Sequence, residues 1–287
     1  MALLQDYAAN VTSQNGEDGM IAKLIADLRL SAGMCVEFGA WDGHHLSNTW
    51  NLWALHGWKA VLIEADIHRY ALLRTKTASF PNVTAVHATV GSGPDTSVDQ
   101  LLSELMIDTP ITLLSVDIDG DDYHVWAPIQ VRPSIVVIEY NASFPPEVQY
   151  IPPPGTHVGA SAAAFVALAD TKDYALVGLT RTNLVFLRND LTPYLTTDIR
   201  PLAELFDRDC LPLVYSDMYG IHRLLRPAQW GYAGFRVETP PSTLIRRLPH
   251  ALVTAGKYLA HNDYAIISRP LRRMATWFVT HSVNRDI

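Results

Sequence analysis

Short apolar runs alternate with helix-like patterns through the first two thirds of the chain. Five runs have the length and the branched residues of buried strands, at 34–36, 60–63, 83–88, 111–116 and 134–138. Apolar residues at helical spacing lie between or around them, at 17–30, 44–55, 67–78, 98–106 and 162–169. Leu46, Trp50, Trp53 and Ala54, for example, share one predicted helix face. Strands that alternate with helices predict an α/β protein with a mostly parallel sheet.

Two further runs predict an antiparallel edge to this sheet. Residues 174–179 and 183–187 read as strands joined by a short turn at 180–182, which brings the expected number of strands to seven. Beyond Asn189 the pattern loosens, and the segments 202–206, 221–225 and 244–259 look helical. We therefore divide the chain into a domain at 1–190 and a C-terminal helical extension at 191–287, which would bind substrate or mediate oligomerisation.

Composition limits the classes of function. The 287 residues are 48% apolar and 18% charged, as in a globular protein with an ample core, and the net charge of −7 gives no general attraction for nucleic acid. The charge is uneven, because residues 242–287 carry seven Lys or Arg and two acids. This basic segment would contact an anionic membrane surface, a partner subunit in a homo-oligomer, or the acidic body of the protein itself. Two cysteines do not make a disulfide framework, and the first residues do not resemble a signal peptide, so we expect a cytoplasmic location.

The stretch 34–66 carries the strongest functional pattern. A predicted strand meets Glu37 and the glycines Gly39 and Gly43, and the next strand ends on Glu64. Because glycine has no Cβ, these two residues would let the backbone approach a ligand closely. An acid at the end of the second strand can accept both hydroxyls of a ribose. The turn lacks the first glycine of the dinucleotide fingerprint, and Glu37 is a poor neighbour for a pyrophosphate. It suits a cationic end of a ligand instead.

The densest polar group follows the predicted strand at 111–116. It contains four carboxylates within six residues and then a histidine: Asp117, Asp119, Asp121, Asp122 and His124. Like charges this close need solvent, protons or a cation. Neighbouring parallel strands would bring Asp117 or Asp119 near Glu139 and Asn141, and such hard oxygen ligands suit Mg²⁺ or Ca²⁺. Alternatively, Asp121 and Asp122 cap and charge the next helix.

Two loops frame this region. The turn at 13–18 is a predicted helix cap, through Ser13 or Asn15. The family resemblance described below implies an alternative, in which this turn is a lid beside a ligand. A proline-rich loop at 142–159 would wall a substrate pocket and ends near His157. His157 and His124 are each a candidate general base or an ordinary polar residue.

In combination, five segments of the chain resemble class I S-adenosylmethionine-dependent methyltransferases, and more narrowly their FkbM-like branch. They are TSQNGEDGMI at 12–21, VEFGAWDG at 36–43, VLIEAD at 61–66, LLSVDIDGDDY at 113–123 and VVIEYN at 136–141. The resemblance covers about residues 10–190 and implies a Rossmann-like class I methyltransferase fold.

The resemblance also implies roles for individual residues. It places S-adenosyl-L-methionine against Glu37, Gly39, Gly43, Ser47, Asn48, Glu64, Ala88 and Asp117, and it makes Asp117, Asp119 and His124 the catalytic residues. The sequence is similar, too, to metal-dependent O-methyltransferases that hold Mg²⁺ or another divalent cation. This similarity implies a cation site at Asp117, Asp119, Glu139 and Asn141. The macrolide-sugar enzymes carry two consecutive aspartates after the fifth strand, where this chain has Glu139 and Tyr140.

The function expected from this resemblance is O-methylation of a hydroxyl on a sugar, a glycan or a related small molecule. Two alternatives stay open. One is a nicotinamide-dependent oxidoreductase, which would need a pyrophosphate-binding turn that the sequence does not supply. The other is a non-catalytic module that keeps the fold in order to bind a partner.

Overall fold

A computed structural model describes residues 2–216 and 222–226 of the chain. Its strands are β1 (Met34–Phe38), β2 (Lys59–Glu64), β3 (Val83–His87), β4 (Leu113–Val116), β5 (Ile135–Glu139), β6 (Tyr174–Leu179), β7 (Asn183–Arg188), β8 (Leu213–Ser216) and β9 (His222–Arg226). Its α-helices are α1 (Glu17–Asp27), α2 (Ile67–Thr77), α3 (Val98–Glu104), α4 (Asp122–Trp126), α5 (Ala162–Thr171) and α6 (Leu202–Leu205). Shorter helical turns lie at Leu4–Tyr7, Asn51–Leu55, Pro94–Thr96, Asn189–Tyr194 and Arg208–Cys210.

Seven strands form one sheet in the order β3-β2-β1-β4-β5-β7-β6. The first five are parallel, and β7 runs antiparallel to both β5 and β6. This order, with its antiparallel edge, defines the Rossmann-like class I methyltransferase fold, so the predicted fold class is confirmed. The chain leaves β1 to one side and returns to β4 on the other, and in open α/β sheets ligands bind at such a switch point.

Apolar residues cover both faces of the sheet. One cluster includes Val36, Val116, Ile138 and Trp126. The other includes Met20 and Leu24 of α1 with Cys35 and Val137 of the strands. Because side chains alternate along a strand, each strand contributes to both clusters and reads as a continuous apolar run.

Two predicted helices are wrong. Of the helix predicted at 44–55, only the turn Asn51–Leu55 forms, and Leu46 is 45% exposed instead of packed. The preceding residues are held in an irregular loop by Glu37, as described below. The run at 221–225 is a strand, since β9 pairs with β8 in a two-stranded sheet; a short apolar run fits a helix or a strand equally well, and here the partner strand decides.

Of the remaining predictions about the C-terminal third, some concern described residues and others lie outside them. The helix predicted at 202–206 is present as α6, and Leu205, Phe206 and Cys210 pack into the first of the two clusters. The division of domains at residue 190 stays a prediction. The helix predicted at 244–259 and the basic segment 242–287 lie outside the described residues. Within the part that is described, no helix has the length and apolar character needed to cross a bilayer.

Candidate functional site

Four carboxylates lie at the carboxyl ends of neighbouring parallel strands. Glu37 belongs to β1 and Glu64 to β2, Asp117 directly follows β4, and Glu139 ends β5. Along each strand, every second side chain faces the α1 side of the sheet. Each of the four acids continues this alternation, so all four side chains point to that face. The sequence pattern of acids after strands therefore becomes one acidic edge in space.

The carboxylate of Glu37 organises the loop that follows β1. It is buried, and it accepts hydrogen bonds from Ser47 Oγ at 2.7 Å, Thr49 Oγ1 at 2.6 Å and the Asn48 backbone N–H at 2.9 Å. Asn48 Nδ2 in turn donates to Ser115 Oγ at 3.1 Å. Burial raises the pKa of Glu37, although these bonds oppose the shift. The structure thus shows Glu37, Ser47 and Asn48 bonded to one another, and their contact with a cofactor stays a prediction.

Glu64 is held at the end of β2 by the backbone. Its Oε2 accepts the N–H of Trp41 at 2.8 Å and its Oε1 accepts the N–H of Asp66 at 2.8 Å, with 4% of the residue exposed. A carboxylate oxygen has two acceptor sites, so each oxygen keeps one for a further donor. This is the property that a residue binding two ribose hydroxyls requires.

The two glycines of the turn serve the packing of the protein itself. Gly39 has φ of +68°, and a Cβ there would lie 1.8 Å from the backbone oxygen of Asp117. Gly43 has φ of +81°, and its Cβ would lie 2.9 Å from Leu73 Cδ1. The space next to each of these glycines, which was expected to admit a ligand, is therefore filled by the chain itself. Glycine is needed at both positions for that physical reason. Their role in binding the cofactor stays a prediction.

Ala88, which the resemblance places against the cofactor, directly follows the end of β3. The backbone N–H of Ala88 donates to the Glu64 carbonyl at 3.3 Å. His87 is exposed, its ring stacks on Tyr70 with centroids 5.1 Å apart, and its Nε2 lies 3.0 Å from the Ala65 carbonyl. Ala88 thus lies next to Glu64, and its contact with a cofactor stays a prediction.

Asp117, Asp119 and Glu139 form a cluster of carboxylates. One oxygen from each lies within 4.8 Å of the others, which confirms the expectation that adjacent strands bring them together. Burial and the charges of the neighbouring acids raise the pKa of both Asp117 and Glu139 well above ordinary values. The cluster therefore favours a proton or another positive charge in its midst.

The side chain of Asn141 holds the loop that follows β5. Its Nδ2 donates to the Val158 carbonyl at 2.6 Å, and its Oδ1 accepts the Ser143 N–H at 2.9 Å. Both ends of the amide are thus used to hold the loop after β5. The three carboxylates form a group with metal-ligand spacing. Contact between Asn141 and a metal ion stays a prediction.

Asp121 and Asp122 fold the loop that carries the cluster. Asp122 is buried and accepts the N–H groups of Ile118 at 2.9 Å and Gly120 at 3.0 Å, and burial raises its pKa to about 6. Asp121 occupies the position before α4 but makes no side-chain cap bond; it accepts the N–H of Gly155 at 2.8 Å instead. The expectation that Asp121 caps the helix through its side chain is therefore wrong, because the proline-rich loop takes its carboxylate.

The proline-rich loop is fastened over this region by two histidines. His124 Nε2 lies 2.8 Å from the Pro152 carbonyl, and His157 Nδ1 lies 3.1 Å from the Asp119 carbonyl. A carbonyl only accepts, so each of these ring nitrogens carries a proton, and in a neutral ring the other nitrogen has a lone pair. The proline-rich loop thus lies beside the carboxylate cluster, and a small cleft opens between Gly120, Glu139 and Gly159. Its role as the wall of a substrate pocket stays a prediction.

The N-terminal turn is joined to both sides of the site. Buried Glu17 accepts Asn15 N–H at 2.8 Å, Thr180 Oγ1 at 2.5 Å and Asn183 Nδ2 at 3.0 Å. Thr12 Oγ1 donates to the carbonyl of Ser47 at 2.9 Å. Gly16 holds the cap position of α1, so the prediction that Ser13 or Asn15 caps this helix is wrong, although Ser13 Oγ accepts the N–H of Asp18 at 3.0 Å. The lid interpretation of this turn stays a prediction.

Comparisons with known proteins give fold-level matches of low similarity. No protein-family model matches the chain, and no curated protein matches it. Among solved structures, a SAM-dependent methyltransferase from Aquifex aeolicus is 12% identical with a TM-score of 0.36, covering 57% of this chain and 86% of its own. TrmK from M. capricolum, in complex with S-adenosyl-homocysteine, is 8% identical with a TM-score of 0.39, covering 90% and 95%. The precorrin-6y C5,15-methyltransferase from Geobacter metallireducens GS-15 is 13% identical with a TM-score of 0.37, covering 62% and 90%. Such values are too low to assign a family or an activity, which must be inferred from the site.

Proposed function

We propose that the protein is an S-adenosylmethionine-dependent methyltransferase that methylates a hydroxyl of a sugar, a glycan or a related small molecule. The observation that supports this most directly is the acidic edge at the switch point of the sheet. Glu64 offers acceptor sites to a ribose, and the cluster of Asp117, Asp119 and Glu139 favours positive charge close by. S-adenosylmethionine combines a ribose with a cationic ammonium and a sulfonium.

The residues fit this cofactor by their chemistry. When bound, it supplies an electrophilic methyl group, so the protein mainly has to align the donor and acceptor and exclude water. Glu64 would accept the ribose hydroxyls, and Asp117, at the end of β4, would face the charged amino-acid end. Glu37 would act from beneath, by holding the loop of Ser47 and Asn48 in place through its hydrogen bonds.

The acceptor would lie between the cluster and the proline-rich loop. Asp119 or Glu139 would accept a hydrogen bond from its hydroxyl and orient it. The proton would pass to Asp119 or to Nδ1 of His124, since Nε2 of that ring is bonded to the Pro152 carbonyl. The carboxylates at the cleft favour a neutral polar acceptor over an anionic one, because an anion would be repelled.

A divalent cation is a separate part of the proposal. The three clustered carboxylates have the spacing and the hard oxygen atoms that Mg²⁺ prefers, and such an ion would lower the pKa of an acceptor hydroxyl. Calorimetric titration of EDTA-treated protein with MgCl₂ and MnCl₂ tests it directly. Wild-type binding that is lost in Asp119→Asn supports a metal site, whereas equal heats in both proteins would remove the cation from the mechanism.

The cofactor is tested by isothermal titration with S-adenosylmethionine and S-adenosylhomocysteine. We expect the wild type to bind both and Glu64→Ala to bind at least about tenfold more weakly, because a buried hydrogen-bonded carboxylate is lost. Asp108→Asn, at an exposed loop carboxylate, is the matched control and should bind like the wild type. A wild-type protein that binds neither ligand would refute the proposed function.

The two rival functions are separated by direct assays. A fluorescence titration with NADH tests the oxidoreductase, whose pyrophosphate would meet the buried Glu37. A screen with isotopically labelled S-adenosylmethionine and sugars, glycans, lipids and small alcohols tests catalysis. Cofactor binding without transfer to any of these acceptors would favour the non-catalytic module.

A further inference from the structure

Trp41 stands beside the acid that would bind the ribose. Its backbone N–H donates to Glu64 Oε2 at 2.8 Å, so any ligand bonded to that oxygen must lie next to residue 41. The residue is nevertheless 38% exposed, although tryptophan is highly buried on average. Its indole therefore presents apolar aromatic surface at the approach to Glu64.

A guanidinium and an ion pair hold the Trp41 loop against α2. Arg69, in the first turn of α2, places its Cζ 3.8 Å from the centroid of the Trp41 ring. The next residue of the loop, Asp42, bonds to Lys76 two turns further along the same helix, at 2.5 Å. Because α2 closely follows β2 in the chain, these contacts hold the Trp41 loop next to the end of the strand that carries Glu64. The indole is thus held in place before any ligand arrives.

The backbone of Trp41 adopts a strained conformation. Its φ is +48°, in the left-handed region that glycine and asparagine adopt readily and bulky residues avoid. Such a conformation costs roughly 1 kcal/mol or more for a residue of this kind. Observed strain of this kind is concentrated at ligand sites, and glycine would give the same loop without it.

We propose that Trp41 is a wall of the donor pocket and contacts the adenosine part of S-adenosylmethionine, with Arg69 holding the indole in position. This inference rests on the proposed function and adds a binding residue to it. A purine and a ribose present apolar faces, and an aromatic side chain is suited to pack on them. The binding set then consists of Glu64, which recognises the hydroxyls, and Trp41, which covers the adjacent apolar surface.

Calorimetry with S-adenosylhomocysteine tests the contact in three variants. Trp41→Asn tolerates the left-handed backbone and keeps the N–H that donates to Glu64, so it removes the indole alone; we expect affinity to fall about tenfold. Trp41→Phe keeps an aromatic ring and should recover most of the loss. Leu72→Ala, at an exposed apolar residue of α2, is the matched control and should leave the affinity unchanged.

An NMR titration separates direct contact from a loosened loop. The indole N–H resonance that is missing in Trp41→Phe identifies Trp41 among the seven tryptophans. It should shift when S-adenosylhomocysteine is added to the wild type. If the ligand binds while this resonance stays in place and Trp41→Asn keeps wild-type affinity, the inference is overturned and the proposed function stands. If the wild type does not bind the ligand at all, both fall.

Discussion

Glu139 provides the sharpest test of the carboxylate cluster, because glutamine has the same shape and lacks the charge. In the folded protein, burial and the charges of Asp117, Asp122 and Asp119 raise the pKa of Glu139 well above its ordinary value. Two unit charges 4.8 Å apart repel by about 3 kcal/mol at an effective dielectric constant of about 20. A proton retained by the cluster already relieves part of this repulsion. We therefore expect Glu139→Gln to stabilise the unliganded protein by about 1–3 kcal/mol at pH 8.

The effect must depend on pH in a definite direction. A carboxyl group with a raised folded-state pKa binds its proton more tightly in the folded protein than in the unfolded chain. As pH rises above about 4.3, the unfolded chain releases that proton first, and the wild type loses stability up to the raised pKa. Glutamine does not titrate, so the advantage of Glu139→Gln should be close to zero near pH 4 and should grow towards pH 8.

Urea denaturation in EDTA at pH 4.5, 6 and 8 measures this difference, with Asp108→Asn as an exposed carboxylate control. The control should change stability by less than about 0.5 kcal/mol at each pH. A Glu139→Gln protein that is less stable than the wild type at pH 8 would refute the repulsion. So would a gain of equal size at all three values of pH, because it could not come from titration.

Three further substitutions test how the site is built. Gly39→Ala should lower the free energy of unfolding by about 3 kcal/mol or more, since its Cβ would meet the backbone oxygen of Asp117 at 1.8 Å. Gly57→Ala, with the same φ of +68° and open space around it, should lower it by about 1 kcal/mol. Equal thermal shifts in the two variants would contradict this. Glu17→Gln should lower stability by about 1–3 kcal/mol and speed amide exchange at Asn15, because its buried carboxylate accepts that N–H and the side chains of Thr180 and Asn183. Exchange at Asn15 that is unchanged from the wild type would contradict this role. Glu37→Gln should lose about 1–3 kcal/mol in chemical denaturation, as an amide N–H₂ would face other donors, and wild-type stability would mean that the charge is dispensable there.

The acidic edge was predictable because strand periodicity is a local property. An acid that follows an apolar strand of known direction must lie at the edge of the sheet where parallel strands finish, whatever the distant sequence does. This is why Asp117 or Asp119 could be placed near Glu139 from the sequence, and the cluster of these three carboxylates within 4.8 Å agrees with that reasoning. Alternating strands and helices with a final hairpin likewise predicted a parallel sheet with an antiparallel edge, but not the order in which its strands lie.

Contacts that depend on side-chain competition were not predictable. Residues 44–50 have apolar spacing for a helix, yet Glu37 draws the hydroxyls of Ser47 and Thr49 and the N–H of Asn48 to itself. A helix N-terminus would leave those groups for its own first turn, so one buried carboxylate converts half of the predicted helix into a loop. Trp41 was missed for a related reason, because its partner Arg69 is 28 positions away and no local pattern links them.

The glycines show how the correct residue can be expected for an incomplete reason. Gly39 was expected to leave room for a ligand, but the room is taken by the backbone oxygen of Asp117 on the neighbouring strand. The segments that follow β1 and β4 therefore lie close together at the switch point, where ligands of open α/β sheets bind. The ligand must then be recognised above that contact, by side chains that project from the strand ends. Carboxylates at Glu64 and Asp117 and the indole of Trp41 are placed to do this, so substitutions at these three side chains should affect affinity, whereas Gly39→Ala should act through folding.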